Sequence, residues 1–392
     1  MLVCESPFNE LAIAFIAGKG VTLMTVAILY REDLKEYDFG SGHPFHGDRY
    51  GSFMKLLKKK LAPDDYYKVL VSEPAAESDL LSICDEDYIH FCRDYYHAAH
   101  AGWIGYFENY NRYQSADNKP VGTPGNVETA ARIIVGQAKM ACDLVAAGTY
   151  KKVISVGGGM HHAKRRFGEG FCIYNDVAFT AQYLLEKCRY ERIMVLDTDA
   201  HAGNGTAEYL RCSAQTLYVD IHQDPKTIYP GTGFVNDIGV EEGRGHTVNI
   251  PLPPMAGNDS YSLAFDEVIL PLTREFKPQV IVRNGGSDPH CADGLTYLGM
   301  TVDGFREVGD KVREMAEICD GRQIDLIASG YNPDILPYAW LSLVSGIADF
   351  PIKVEEPAQI PQQFQQDQVL EATRQVIDEV KKQHNHYWKC LR

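Results

Sequence analysis

Short apolar runs rich in β-branched residues alternate along the chain with longer stretches of helical spacing, and this alternation restricts the possible folds most. Runs of this length are typical of strands that are buried on both faces of a parallel sheet. A first run, Thr25–Tyr30, follows Met24 directly. The later runs are Val153–Val156, Ile193–Leu196, Leu217–Ile221, Val248–Leu252, Val280–Val282 and Leu326–Ala328.

The stretches between the runs carry their apolar residues on one helical face. Asn126–Ala147 is the clearest of these predicted helices, and Gly148 is its expected stop. The other predicted helices are Asp176–Cys188, Tyr261–Phe276, Phe305–Ile318 with Thr301 as its N-cap, and Val369–Trp388 after a Pro- and Gln-rich loop at Pro351–Gln368. Strand and helix in regular alternation predict an α/β fold.

No repeat or low-complexity linker divides the chain, so we predict one domain over residues 24–392, with the C-terminal helix included. Residues 1–23 are interpreted as an N-terminal extension that need not be native. Their one apolar stretch, Leu11–Gly18, is too short to cross a membrane and lacks the basic flank of a secretory signal. We therefore expect no membrane association.

Charge and cysteine usage exclude further classes. With 38 basic and 53 acidic residues the net charge is −15, which argues against a nucleic-acid partner. Ten cysteines without a Cys-x-x-Cys pair indicate neither a disulfide framework nor a zinc ribbon, so a reducing cytoplasm is expected. The oligomeric state stays open.

Polar residues follow three of the predicted strands, where ligands of parallel sheets bind. His161 and His162 follow one strand, Asp199 and His201 a second, and Asp288 a third. Side chains at i and i+2 of an extended segment share a face, so Asp199 and His201 can lie side by side. Two carboxylates and one imidazole suit a catalytic Zn²⁺ with an open position, with Fe²⁺ or Co²⁺ as alternatives.

Two flanking residues, Asp197 and Asn204, have side chains of the types that orient the second ring nitrogen of a histidine. Glycines surround the tandem histidines, in Gly157–Gly159 and again at Gly168 and Gly170. They allow a close approach of the backbone there.

These residues carry a family resemblance. The chain resembles the zinc-dependent histone deacetylase family, including its archaeal, bacterial and acetoin-utilisation-type members, from about Ala27 to Leu341. The resemblance implies the arginase/deacetylase fold, a single-domain parallel sheet flanked by helices. The motifs that carry it are His161-His162, Gly170-Phe171-Cys172, Asp197-x-Asp199-x-His201 with Gly203-Asn204-Gly205, Tyr229 to Gly233, Asp288 and Gly330-Tyr331.

The resemblance implies a role for each matching residue. Asp199, His201 and Asp288 would be the metal ligands, and His161 and His162 the catalytic pair beside them. Tyr331 would donate its hydroxyl to the substrate carbonyl. Phe171 and Tyr229 would wall a narrow tunnel with Leu295 near its mouth, and a potassium ion would lie close by at Asp197, Asp199, His201 and the position of Asp220.

Four positions depart from the family pattern. Ala202 stands where relatives commonly have a second histidine, and Asp220 where a small hydroxyl residue lies near potassium. Asn204 in place of Asp is similar to the class II pattern and is expected to support His162. Gly122 stands where peptide deacetylases carry an acidic residue at the rim, which weakens the case for a protein substrate.

The expected reaction is the hydrolysis of an amide on an N-acetylated primary amine, such as acetyl-lysine. An acetylpolyamine or another small amide is the alternative substrate. A dinuclear ureohydrolase of the arginase type is disfavoured, because Gly203 and His290 stand where a second metal ion needs carboxylates. A non-catalytic module that binds acetylated ligands is the remaining alternative.

Overall fold

The computed structural model describes residues 26–63, 65–103 and 107–392 of the chain. The predicted extension at residues 1–23 and the first residue of the first predicted strand lie outside these ranges. The described residues contain one parallel sheet of eight strands in the order β2-β1-β3-β8-β7-β4-β5-β6. The strands are β1 Val26–Leu29, β2 Lys68–Leu70, β3 Lys152–Val156, β4 Ile193–Asp197, β5 Thr216–Gln223, β6 Thr247–Leu252, β7 Val280–Asn284 and β8 Gln323–Ile327.

The parallel α/β prediction is confirmed. Several strand ends differ from the predicted ones by a residue or two, and two differences are larger. The edge strand β2 was not predicted, because its three half-buried residues carry too little apolar pattern to mark a strand. Strand β8 begins at Gln323 rather than Leu326. Its polar Asp325 is fully buried and bonds Arg283 of β7 at 2.9 Å, so an ion pair replaces the apolar contacts on which the prediction rested.

Helices lie in most of the connections between the strands and after β8. They are α1 Asp48–Lys60, α2 Glu77–Leu80, α3 Glu86–His100, α4 Tyr110–Tyr113, α5 Val127–Ala146, α6 Asp176–Glu186, α7 Asn204–Leu210, α8 Asn258–Ala264, α9 Leu270–Phe276, α10 Val302–Glu317, α11 Leu336–Ala348 and α12 Leu370–His384.

The predicted helices are found with modest changes at their ends. Gly148 follows α5 with φ 69°, as expected of a residue that ends a helix. The predicted helix Tyr261–Phe276 starts earlier, at Asn258, and a π turn at Phe265–Ile269 joins α8 to α9. Thr301 precedes α10 but makes no side-chain cap, because its Oγ1 accepts a hydrogen bond from Asn258 instead.

Alternate residues of the strands face opposite sides of the sheet, and each side is covered. On one side Val153, Val195 and Val282 pack with helices α5 and α6. On the other side Ile154 and Leu196 pack with α1, α10 and α11. The sheet is therefore the middle layer of three.

The site lies at the carboxyl edge of four neighbouring strands, β3, β8, β7 and β4. Their ends are in register, because Val156 pairs with Ile327 and Asp197 pairs with Asn284. The segments that follow these strands therefore start side by side, although they are far apart in the sequence.

Candidate active site

Asp199, His201 and Asp288 form a compact buried cluster of possible metal ligands. His201 Nδ1 lies 3.1 Å from Asp199 Oδ1 and 3.1 Å from Asp288 Oδ2. Asp288 is oriented by Ser329, whose hydroxyl donates to Oδ1 at 2.7 Å. Two carboxylate oxygens and one imidazole nitrogen that converge within 4.8 Å fit a single Zn²⁺.

The electrostatics of the cluster favour an added cation. Burial opposes a charge on His201, but its hydrogen bonds and charge interactions with Asp199 and Asp288 raise the pKa of His201 to about 10. Burial, followed by the charge of Asp199, raises the pKa of Asp288 to about 8. A metal ion and protons therefore compete for the same groups, and metal binding is expected to weaken as the pH falls.

The tandem histidines lie next to each other but have different partners. Their ring centroids are 4.0 Å apart. His161 Nδ1 lies 2.9 Å from Asp197 Oδ2, whereas His162 Nδ1 lies 2.8 Å from Asn204 Oδ1. Asp197 and Asn204 thus each lie beside one of the two histidines, and their supporting roles stay predictions.

The surroundings of His161 and His162 shift their pKa values in opposite directions. Burial opposes a charge on His161, but Asp197 and Asp199 raise the pKa of His161 to about 9. Burial and the neighbouring His161 and His201 hold the pKa of His162 well below its usual value. At neutral pH the arrangement favours a cationic His161 beside a neutral His162, which is able to accept a proton.

The turn that presents the histidines is held by a residue that sequence reasoning treated only as the start of a helix. Asp176, the first residue of α6, accepts the backbone N–H groups of Gly159 at 2.9 Å and Met160 at 2.7 Å. Gly159 has φ 127°, where side chains are rarely tolerated. The motif around Asp176 was visible in the sequence, but its contact with this turn was not.

Tyr331 reaches the site because of a sharp turn before it. Gly330 has φ 124°, and a Cβ there would lie 1.9 Å from Ser287 Oγ. Burial, followed by the charges of Asp199 and Asp288, raises the pKa of Tyr331 well above its usual value. The phenol therefore stays protonated and can donate a hydrogen bond.

Arg49 supports the same turn and was missed from the sequence. Its guanidinium donates to the carbonyl oxygens of Ala328 and Gly330, both at 3.0 Å. It also lies 3.7 Å from the ring centroid of Phe45 and 5.4 Å from that of Tyr331. No local motif marks Arg49, because its partners are about 280 residues away in the chain.

The residues predicted to wall a tunnel lie beside the catalytic candidates. The ring of Phe171 is 5.7 Å from that of Tyr331, and the ring of Tyr229 is 5.1 Å from that of His162. Gly170 allows the backbone just before Phe171 to lie against His162, because a Cβ at residue 170 would lie 2.2 Å from His162 Cδ2.

The backbone N–H groups of Leu295 and Tyr331 share one hydrogen-bond acceptor, the carboxylate of Asp293. Asp293 accepts the N–H of Leu295 at 2.9 Å and that of Tyr331 at 2.7 Å. Leu295 itself is 39% exposed, and its place at the mouth of a tunnel stays a prediction.

At the predicted potassium site, the carboxylate of Asp220 is surrounded by polar groups of the protein. Its Oδ2 accepts hydrogen bonds from the N–H of Gly203 at 2.9 Å and the hydroxyl of Tyr218 at 2.7 Å. Its Oδ1 lies 2.8 Å from His222 Nδ1. This carboxylate already has protein donors, and the potassium site stays a prediction.

A second metal ion of the arginase type finds no support among the residues that the structure describes. Around His201, only Asp199 and Asp288 complete the cluster of possible ligands. His290 points to a different partner, with Nε2 2.9 Å from Glu356 Oε1.

Comparisons with known proteins give the family. Residues 43–347 match the histone deacetylase domain. A probable deacetylase of Archaeoglobus fulgidus is 32% identical over 94% of this chain and 100% of its own length. The acetoin utilization protein AcuC of Staphylococcus xylosus is 33% identical over 81% of this chain and 80% of its own length. The chain belongs to the histone deacetylase family and is an acetyl-removing hydrolase.

The fold agrees with this assignment. The crystal structure of the HDA15 HD domain superimposes with a TM-score of 0.77 at 20% identity and covers 94% of this chain and 97% of its own. The predicted deacetylase fold is thereby confirmed. Within the described residues, no helix is both long and apolar enough to cross a membrane.

Proposed function

We propose that the chain is a zinc-dependent deacetylase that hydrolyses an N-acetylated primary amine such as acetyl-lysine. The observation that carries this proposal is the cluster of Asp199, His201 and Asp288 beside two histidines with different supports. A binding module for acetylated ligands needs no pair of histidines with different hydrogen-bond partners beside such a cluster.

Each residue of the site has a distinct task in the proposed mechanism. A Zn²⁺ held by the three ligands would polarise the acetyl carbonyl and lower the pKa of a water molecule from about 15.7 toward 7. His162 takes the proton of that water, because it is neutral and its Nδ1 is engaged by Asn204. His161 or the same His162 then protonates the leaving amine.

Tyr331 stabilises the negative charge that develops on the carbonyl oxygen. Its raised pKa keeps the hydroxyl protonated, and the packing of its ring against Phe171 and Arg49 fixes its direction. A donor that is already in place needs no reorganisation when the charge develops.

The tunnel residues restrict the substrate. Phe171 and Tyr229 offer apolar walls that suit a slim methylene chain, and a narrow apolar passage disfavours a second charge near the metal. The net charge of −15 attracts cationic substrates in general, so it does not separate lysine side chains from polyamines.

An acetylpolyamine or another small amide is the second candidate substrate, and one observation favours it. Gly122, which stands where peptide deacetylases carry an acidic rim residue, has φ 65°, and a Cβ there would lie 2.7 Å from Ser41 Oγ. This position therefore strongly favours glycine and offers no carboxylate to hold a peptide backbone.

The test measures metal content and turnover together. Purified enzyme is stripped of metal, reloaded separately with Zn²⁺, Fe²⁺ or Co²⁺, and assayed with an acetyl-lysine peptide, acetylputrescine and acetylspermidine. Replacing Asp199, His201 or Asp288 by Ala should abolish both tight zinc binding and hydrolysis, because three ligands are the minimum for a site with an open position. The exposed Asp378→Ala on α12 is the matched control. Full activity in the Ala variant of any one of these three residues would refute their assignment as metal ligands.

We also propose a cytoplasmic location and no nucleic-acid partner. Support comes from the acidic net charge of −15 and from the cysteines of the described residues, all nine of which are unpaired. Potassium dependence of the activity is a further proposal, to be read from turnover in potassium against sodium buffers.

A further inference from the structure

Asn204, the support of His162, has a second partner on its other side. While Oδ1 faces His162 Nδ1 at 2.8 Å, Nδ2 donates to Glu169 Oε1 at 2.9 Å. Glu169 lies on the segment between the tandem histidines and Phe171, and its side chain is 14% exposed. The amide of Asn204 is therefore held between an imidazole and a carboxylate.

The charge on Glu169 decides which way this amide points. Lys164 Nζ lies 2.7 Å from the same Oε1, so Glu169 is paired with a cation. An ionised carboxylate accepts hydrogen bonds and donates none. The Asn204 amide must then present its NH₂ group to Glu169 and its carbonyl oxygen to His162.

We propose that Glu169 is a positioning residue that sets the tautomer of His162 through Asn204. A carbonyl oxygen accepts only, so His162 must carry its proton on Nδ1. A neutral imidazole has one donor and one acceptor nitrogen, and its Nε2 is then the acceptor. The catalytic consequence rests on the proposed function, in which His162 is the base; the tautomer itself does not.

Without the charge on Glu169, the side-chain amide of Asn204 is free to exchange the positions of its oxygen and its NH₂ group. A glutamine at that position can donate to Asn204 Oδ1, and Asn204 then offers its NH₂ group to His162. In that arrangement the proton of His162 moves to Nε2, and the nitrogen that should accept a proton can no longer do so.

Glu169 also connects this support to the tunnel wall. Burial, followed by the charge and a hydrogen bond of Glu169, raises the pKa of Tyr229. Glu169 stands two residues before Phe171, and its carbonyl accepts the N–H of Cys172 at 3.0 Å. The same carboxylate thus contacts the support of the base and one wall of the substrate passage.

The primary test reads the tautomer directly. Zinc-loaded enzyme labelled with ¹⁵N at its 13 histidines is compared by long-range ¹H–¹⁵N NMR with Glu169→Gln, and a His162→Gln sample assigns the signal. The parent should show Nδ1 protonated and Nε2 with a pyridine-type shift. In Glu169→Gln this pattern should reverse or become a mixture.

Kinetics with a rescue variant give the second measurement. Glu169→Gln should lower kcat about 10- to 100-fold, the usual cost of losing the partner of a site residue, while KM stays within about twofold. The double variant Glu169→Gln/Asn204→Asp should recover most of the loss, because an aspartate at 204 again only accepts from His162. Glu208→Gln, an exposed substitution on the helix that carries Asn204, is the control and should match the parent.

An unchanged His162 tautomer in folded Glu169→Gln would overturn the inference, and so would a double variant as impaired as the single one. If Glu169→Gln fails to fold, the Glu169→Ala variant decides. Without an acceptor for its Nδ2 the amide of Asn204 no longer has one preferred orientation, so the His162 signals should become a mixture or reverse, and an unaltered pattern refutes the inference. A tautomer change in an enzyme that hydrolyses none of the acetylated amines would uphold the positioning role and reject the proposed function.

Discussion

Removing the hydroxyl of Tyr331 isolates a single interaction of the proposed mechanism. Tyr331→Phe keeps the ring and its contacts with Phe171, Phe45 and Arg49, which lie 5.7, 6.4 and 5.4 Å from its centroid. The main-chain bond of residue 331 to Asp293 also remains. Stability and zinc content should therefore not change.

The expected loss is in the chemical step. The hydroxyl is kept protonated by burial and by Asp199 and Asp288, so it is available to the charge that develops on the carbonyl oxygen. Removing one such donor typically costs about 10²- to 10³-fold in kcat, or roughly 2.7 to 4 kcal/mol. Because this bond strengthens mainly in the transition state, KM should change little.

The assay is steady-state hydrolysis of the best acetylated amine, with thermal unfolding and zinc content measured on the same samples. Tyr66→Phe is the matched control, since Tyr66 is 41% exposed and packs on Phe350. If Tyr331→Phe turns over within a few-fold of the parent, Tyr331 is not the donor to the oxyanion and the mechanism must be redrawn.

Three further predictions concern the tunnel, the core and the C-terminal helix. Phe171→Ala should lower kcat/KM while zinc stays bound and the fold persists; an insoluble variant would instead make Phe171 a packing residue. Asp325→Asn should cost about 3 to 5 kcal/mol in urea unfolding, because it leaves the fully buried Arg283 without its charged partner, and a loss under about 1 kcal/mol would contradict this. Burial lowers the pKa of His384 to about 4, below its unfolded value of 6.5, so the unfolded chain binds more protons between these values. This contribution to stability is present above pH 6.5 and is lost as the pH falls toward 4, with about 2 kcal/mol lost between pH 7 and pH 5. In His384→Gln that part of the pH dependence should vanish from the free energy of unfolding, and an identical pH profile would refute the assignment.

The sequence predicted those parts of the site that depend on short-range spacing. Asp199 and His201 are two residues apart, a spacing that lets their side chains share a face if the segment is extended. The chain instead bends over Asp199–His201 beyond the end of β4, and the two side chains still meet there, with His201 Nδ1 3.1 Å from Asp199 Oδ1. Gly330 before Tyr331 indicated a sharp turn, and φ 124° is the conformation found there. The strand and helix pattern likewise predicted a parallel sheet with its ligand edge at the carboxyl ends.

Buried polar contacts limited the prediction of strands from the pattern of apolar residues. The pattern of apolar residues located β8 only from Leu326 onward, because Gln323 and Asp325 are buried through hydrogen bonds rather than through apolar packing. Hydrophobic periodicity detects burial of apolar side chains and is blind to a buried ion pair.

Residue types and local spacing by themselves thus determined the α/β class, the candidate ligands and the tandem histidines. Only the tertiary structure decided that β8 and β7 lie between β3 and β4, which brings Asp288 and Tyr331 to the same edge as His161. It alone revealed the chain of contacts from Glu169 through Asn204 to His162. The physical reason is that strand order and side-chain partners depend on contacts between distant segments, which local spacing does not encode.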